Sequence, residues 1–313
     1  MKVFVAGATG AIGKFLVPRL VSERHEVTAL VRSPEKGKAL RAIGVAVAEA
    51  DALDREALSA AVRAARPDVI VHELTALNGA GNFKRFDEEF ALTNRFRTEV
   101  LDTMLAAART AGTRRIIAQS YCGWPFAREG AAVKSEADPL DPDPPASFKK
   151  TLAAIRYLED AMCNTSEMEA LALRYGALYG PGTSIAKDGY VVGLVRRRKV
   201  PIVGAGGGIW SFIHVDDAAS ATVAAITSGD SGIYNVVDDN PPPVSAWLPA
   251  LADAVGAKPP HRLPEWLAKF AIGDGGVSMM TRIRGGANSK AKRELGWQPR
   301  YASWRRGFVE GLG

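Results

Sequence analysis

The segment Gly7-Ala8-Thr9-Gly10-Ala11-Ile12-Gly13 lies between a short apolar run, Lys2 to Ala6, and a stretch of helical periodicity, Ala11 to Glu23. In that stretch Ile12, Leu16, Leu20 and Val21 share one stripe. A glycine pattern at the first strand–helix junction constrains the fold more than any other feature of the chain. The first glycine permits a tight turn. The second lets the backbone come close to a pyrophosphate, and the third lets the helix pack near the strand. The helix amides and dipole then face a negative ligand. Thr9, Ala11 and Ile12 belong to the same turn and are expected to touch that ligand with Gly7, Gly10 and Gly13.

Strand and helix signals continue to alternate. Strands are expected at Glu26 to Val31, Val45 to Glu49, Val69 to Val71, Arg115 to Ala118 and Ala170 to Arg174. Pro34 opens one helix and Asp54 caps another. A long helix is expected from Asp87 to Ala111, stopped by Gly112, and a further one from Ser147 to Cys163. This pattern implies an α/β fold, a Rossmann-type doubly wound parallel sheet covered by helices on both faces. After Gly180 the alternation relaxes. The expected division is a dinucleotide-binding domain over 1–175 with a returning segment near 210–237. Residues 176–209 and 238–313 would form a smaller, mostly helical substrate lobe.

In such sheets ligands bind beyond the carboxyl ends of the strands, so the residues just after each strand are the candidate site. After the second strand stand Arg32 and Ser33, with no acid to bind a ribose 2′-hydroxyl; this pair suits a 2′-phosphate. The expected cofactor is therefore NADP(H), with NAD(H) as the alternative. Asp51 and Ala52 follow the third strand and would approach the adenine. Leu74, Thr75 and Ala76 follow the fourth and would line the middle of the cofactor. Gln119 closes the fifth strand on the same side.

Composition narrows the function classes. The formal charge is +6 with scattered basic residues, and the run Arg196 to Lys199 reads as a solvated helix end, so no nucleic-acid partner is expected. The two cysteines, Cys122 and Cys163, form neither a metal motif nor a disulfide framework. No metal site and a cytoplasmic setting are expected. The opening residues read as a first strand, and no run approaches the about 18 apolar residues of a membrane span. A small-molecule substrate is the expected partner.

Further segments complete a resemblance. They are Asn94 in Leu92-Thr93-Asn94-Arg95, the run Leu173 to Gly182, Phe212-Ile213-His214-Val215-Asp216-Asp217, and Ala291 to Pro299. With the glycine turn they resemble the extended short-chain dehydrogenase/reductase family, also labelled NAD-dependent epimerase/dehydratase, over nearly the whole chain. The resemblance implies that Asn94 sits behind the active site, that Tyr175 lies beside the nicotinamide, and that a homodimer forms through the two long helices. It also implies a Tyr-x-x-x-Lys proton relay on the helix after the fifth strand, and there this chain departs. Phe148 and Leu152 stand at those positions and carry no transferable proton. Lys149 and Lys150 point elsewhere on the helix.

Ser120 and Tyr121, at the end of the fifth strand, are the remaining catalytic candidates. Tyr121 would serve as an acid if a nearby cation lowered its pKa. His214 is expected to be structural. Phe83, Phe86, Trp124, Phe126 and Trp210 are candidate walls of an aromatic pocket beneath the proline-rich segment from Gly123 to Ala146. The expected activity is NADP(H)-dependent reduction of a small carbonyl or related compound by a non-standard proton relay. A sugar-nucleotide epimerase or dehydratase and a non-catalytic NADP(H) sensor are the alternatives. Arg32→Asp is expected to weaken NADPH binding measured by calorimetry, and an unchanged affinity would remove the assignment of Arg32 to the 2′-phosphate.

Overall fold

The computed structural model describes residues 1–77 and 81–313. Its centre is a seven-stranded parallel sheet. We label its strands β1 (Lys2–Ala6), β2 (Glu26–Val31), β3 (Ala46–Glu49), β4 (Val69–His72), β5 (Arg115–Tyr121), β6 (Glu169–Tyr175) and β7 (Gly232–Val236). Their spatial order is β7-β6-β5-β4-β1-β2-β3. The order reverses between β1 and β4, which places the ligand crevice beyond the carboxyl ends of these two strands.

The strands bury both faces, which is why they read as continuous apolar runs. Val3, Val5, Val69, Val71 and Ile117 pack toward the helices Gly13–Ser22 and Val215–Thr227. Phe4, Ala6, Ile70, Ile116 and Ala118 pack toward the helices Arg55–Ala65, Leu101–Ala111 and Lys149–Cys163. A third core, around Trp247, Phe212, Phe308 and Trp304, belongs to the later part of the chain.

Two sequence expectations are revised. The helix expected over Asp87 to Ala111 is divided into Phe86–Glu89, Ala91–Arg95, a wider π turn over Phe96–Val100, and Leu101–Ala111. Side chains take the carbonyls that a regular helix would use for itself. The imidazole of His72 bonds the Phe96 carbonyl through Nε2 at 2.9 Å, and Thr98 Oγ1 donates to the Asn94 carbonyl at 3.0 Å. The proline-rich segment, read as a loop, contributes a strand of its own: Val133–Lys134 pairs with Gly285–Gly286. Its Arg128 and Asp141 form an ion pair at 2.8 Å, and its buried Lys134 donates to the Glu129 carbonyl at 2.7 Å.

His214 proves to be a helix cap. Its Nδ1 accepts from the Asp216 amide at 3.1 Å, which leaves the Nε2 proton to donate to the Gly311 carbonyl at 2.9 Å.

The glycine turn is held by backbone contacts that admit no side chain. Gly7 has φ +103°, and a Cβ there would lie 2.6 Å from the Glu73 carbonyl oxygen at the end of β4. A Cβ on Gly13 would strike the Gly7 carbonyl oxygen and come within 2.5 Å of the Ala8 carbonyl. Helix propensity favours alanine over glycine by about 1 kcal/mol. An overlap with backbone that cannot rotate away costs about 1–3 kcal/mol or more, so sterics prevail at Gly13. Gly13→Ala is expected to lower stability by about 2 kcal/mol, read by urea unfolding. A variant as stable as the parent would show that the turn tolerates a wider approach.

Candidate functional site

At the switch point the glycine turn presents Thr9 and Gly10 to solvent, while Ala8 and Ile12 anchor it in the core. The turn closes through the Gly10 amide to the Gly7 carbonyl at 2.9 Å. The helix that follows has no side-chain cap at Ile12 and no acidic residue in its first turn. The Lys14 and Phe15 amides bond back to the Gly10 and Ile12 carbonyls at 3.1 and 2.9 Å, whereas the Ala11, Ile12 and Gly13 amides find no acceptor among the described residues, and an anion would satisfy both these and the helix dipole. This arrangement fits a dinucleotide pyrophosphate.

The other expected cofactor contacts gather on the same rim. Arg32 is exposed and has no ion pair among the described residues. Ser33 begins the next helix without using its hydroxyl as a cap. Asp51 folds back on the Leu53 amide at 3.0 Å beside the buried Ala52. Leu74, Thr75 and Ala76 run past the end of β4, with the Ala76 amide held by Thr93 Oγ1 at 3.0 Å. Gln119 is half-buried at the end of β5. Asn94 donates to Thr151 Oγ1 at 3.1 Å, and Thr151 is fixed in turn by Asp87 at 2.7 Å.

Two expected residues point inward instead. Ser120 donates to Glu159 at 2.7 Å, and Glu159 is clamped by both arms of Arg174 at 2.6 Å in a buried ion pair. Tyr175 is 1% exposed. Its hydroxyl donates to Glu73 at 2.8 Å and meets Thr222 at 2.6 Å. These groups stabilise the sheet beneath the crevice and offer it no free donor.

Above the ends of β4 and β5 lies an aromatic cluster. Phe86 stacks on Phe90 at 4.2 Å between centroids and meets Phe148 at 4.3 Å. Trp124 closes on Phe148 at 5.1 Å and on Phe86 at 5.4 Å. Phe83 stacks on Phe86, and Leu152 and Met279 fill the remaining side. Phe148 and Leu152, where the sequence resemblance led us to expect the proton-relay pair, are apolar packing elements. Lys149 reaches outward toward Asp143 at 3.7 Å. Trp210 is tied to the Met279 carbonyl at 3.0 Å, whereas Phe126 joins a separate cluster with Cys122 and Val237. Burial pushes the Cys122 thiol up to about 12, so it stays a protonated, unreactive thiol.

Tyr121 borders this cluster, its ring 6.4 Å from Trp124, and its hydroxyl has no partner among the described residues. Burial raises its pKa, and the nearby Arg97 counteracts that only weakly.

Sequence reasoning missed Arg97 and Glu73. Arg97 lies on the same helical stripe as Leu101, Met104 and Ala108, so the signal was one charge in an apolar stripe. Glu73 follows a buried strand directly. It is 5% exposed, its Oε2 has no partner, and burial pushes its pKa up to about 8 against the opposing Tyr175 hydrogen bond. His72 beside it is pushed down to about 4 by burial and is neutral.

The sequence matches the profile of the NAD dependent epimerase/dehydratase family over residues 3–237. It is 46% identical, over 98% of this chain and 99% of the relative, to a 3-diazoavenalumate denitrifying reductase of a Streptomyces species. It is 27% identical to the UDP-glucose 4-epimerase of Mycolicibacterium smegmatis, over 96% and 95% of the two chains. Among solved structures, the Thermus thermophilus UDP-glucose 4-epimerase in complex with NAD superposes with a TM-score of 0.74 at 22% identity, covering 100% and 98% of the two chains. Pal from Bacillus thuringiensis superposes with a TM-score of 0.78 at 19% identity, covering 100% and 98%. At these identities the likeness is one of fold.

A raised carboxyl pKa means that the folded state holds a proton the unfolded chain gives up. The stability contributed is complete below the unfolded value near 4.5 and is lost as pH rises through about 8. Glu73→Gln keeps the acceptor for Tyr175 and removes the ionisation. Its melting temperature is expected to gain on the parent steadily from pH 5 to pH 8.5, by a difference of about 2–4 kcal/mol overall. Parallel melting curves across that range would show that Glu73 is already ionised in the fold.

Proposed function

The chain belongs to the NAD-dependent epimerase/dehydratase family, and from that premise we propose that it is a nicotinamide-dependent oxidoreductase that removes a diazo group from an aromatic carboxylate. The observation that carries this reading is the 46% identity, over both full lengths, with a reductase named for the denitrification of 3-diazoavenalumate. The chemistry of the site supports it. When bound, the reduced nicotinamide supplies a hydride, and R–N2⁺ plus H⁻ gives R–H plus N2. A C–N bond is replaced by a C–H bond, the two hydride electrons reduce the substrate, and dinitrogen leaves with its bonding pair. No proton enters the balance. A site whose relay positions are Phe148 and Leu152 is suited to this reaction, because neither residue needs to move a proton.

The chain's own residues then bind, orient and exclude water. The uncapped helix after the glycine turn holds the pyrophosphate through Thr9, Gly10, Ala11 and Ile12. Arg32 and Ser33 take a 2′-phosphate, which makes NADPH the preferred donor. Asp51, Ala52 and the segment Leu74–Ala76 flank the remainder of the dinucleotide, with Gln119 and Asn94 nearer the reactive end. Phe86, Phe90 and Trp124 provide a dry aromatic wall for a planar substrate. Residues 176–209 and 238–313 act as the substrate lobe.

A carbonyl substrate is the second reading, favoured by the unpartnered hydroxyl of Tyr121. It requires Tyr121 to deliver a proton, which its raised pKa permits only as an acid.

NADPH deuterated on the transferred position separates the readings. With 3-diazoavenalumate we expect cofactor oxidation, dinitrogen release and deuterium on the ring carbon that bore the diazo group. Tyr121→Phe is expected to retain activity within about threefold on the diazo substrate. Oxidation of NADPH by ketones or sugar nucleotides but by no diazo compound would replace this function.

A further inference from the structure

Arg97 is a buried cation at the crevice whose donors the described residues leave mostly unused. It sits in the π turn Phe96–Val100 and is only 6% exposed. Among the described residues it forms no ion pair, and its single hydrogen bond runs from Nη1 to Asn94 Oδ1 at 3.2 Å. A guanidinium carries five N–H donors, so most are unspent. Its Nε and Nη2 have no partner among the described residues and are not fully enclosed. The aliphatic stem and guanidinium lie beside the Phe90 ring, 6.0 Å from its centroid, and near Tyr121 at the end of β5.

A buried cation without a counter-ion is costly, and proteins generally pair such a charge. The buried arginines nearby follow that rule: Arg174 is clamped to Glu159 and Arg115 to Glu169. Arg97 does not, and its position is built with care. Asn94 holds it, Thr151 holds Asn94, and Asp87 holds Thr151. The negative charge that reaches Arg97 most strongly is that of Glu159, which is already clamped by Arg174, and His72 on β4 is neutral.

We infer that Arg97 is an anion subsite of the crevice, which takes an oxyanion of an aromatic substrate, a carboxylate or a phenolate, in a forked pair beside Phe90 and Tyr121. The planar guanidinium suits a two-pronged oxygen partner, and the adjoining rings suit an aromatic body attached to it. The inference rests on the proposed function only in taking the substrate to be an aromatic anion. Purely cationic diazonium compounds would be repelled by Arg97 unless they carry an oxyanion as well.

The test is equilibrium binding without turnover. Protein loaded with NADP⁺ is titrated by calorimetry with 4-hydroxycinnamate, cinnamate and 4-methylphenol. For 4-hydroxycinnamate, Arg97→Met is expected to lower affinity by about tenfold or more, with Arg97→Lys in between, while NADPH affinity stays within about twofold. The melting temperature of Arg97→Met is expected to hold or rise, since an unpaired buried charge is removed. If cinnamate repeats the loss and 4-methylphenol does not, the oxyanion is a carboxylate; the reverse pattern makes it a phenolate. Either pattern supports the subsite. Equal affinities in parent and variants, or no binding of the three compounds to the parent, would overturn it. Should Arg97→Met fail to fold, Arg97→Lys decides alone, with parental affinity counting against the subsite. Failure of diazo reduction alongside Arg97-dependent binding would remove the proposed function and leave this site standing.

Discussion

The architecture depends on how closely the glycine turn lies on the end of β4. Gly7 rests against the Glu73 backbone, and Gly13 rests against Ala8, with no space for a side chain at either contact. That approach brings the helix Gly13–Ser22 down onto the sheet and turns its free amides toward the crevice. The switch in strand order between β1 and β4 falls at the same point. The anion-binding end of the helix and the opening of the sheet are therefore consequences of one steric fact.

Below this junction the protein invests in buried polar structure. Glu73, Tyr175 and Thr222 form one hydrogen-bonded group, and Ser120, Glu159 and Arg174 form another. Each leaves one enclosed atom without a partner among the described residues, Glu73 Oε2 in the first and Arg174 Nη1 in the second, while the remaining bonds hold the side chains in place. Desolvation pushes the Glu73 carboxyl up to about 8, and the charge of Glu159 is taken up by Arg174. Neither carboxyl forms an ion pair with Arg97 among the described residues.

The reactive end is unusually apolar for its fold. Phe148 and Leu152 pack with Phe86 and Trp124, and the polar duties nearby fall to Tyr121, Asn94 and Arg97. An aromatic wall with a single buried cation is a different solvent from a tyrosine–lysine relay. Under the proposed function it would suit planar anions better than proton transfer to an alkoxide, and a hydride reaction that expels dinitrogen would need only orientation and dryness there.

Much of this was legible from the chain alone. The glycine spacing, the alternating apolar runs and the residues after each strand fixed the parallel sheet and the cofactor rim, because local sterics and periodicity decide them. The apolar character of Phe148 and Leu152 was equally legible, since it depends on residue type. The inward turn of Ser120 and Tyr175 was not, because whether a strand residue at the crevice edge faces ligand or core depends on what the neighbouring helix offers, here Glu159 and Thr222. The division of the Asp87 to Ala111 helix was hidden for the same reason: His72, distant in sequence, takes the Phe96 carbonyl. Sequence determined which groups the chain possesses and which strands carry them. Tertiary packing alone decided that the Glu73 carboxyl is pushed upward and that Arg97 is buried without an ion pair among the described residues, since both follow from how much water and charge the rest of the fold leaves around them.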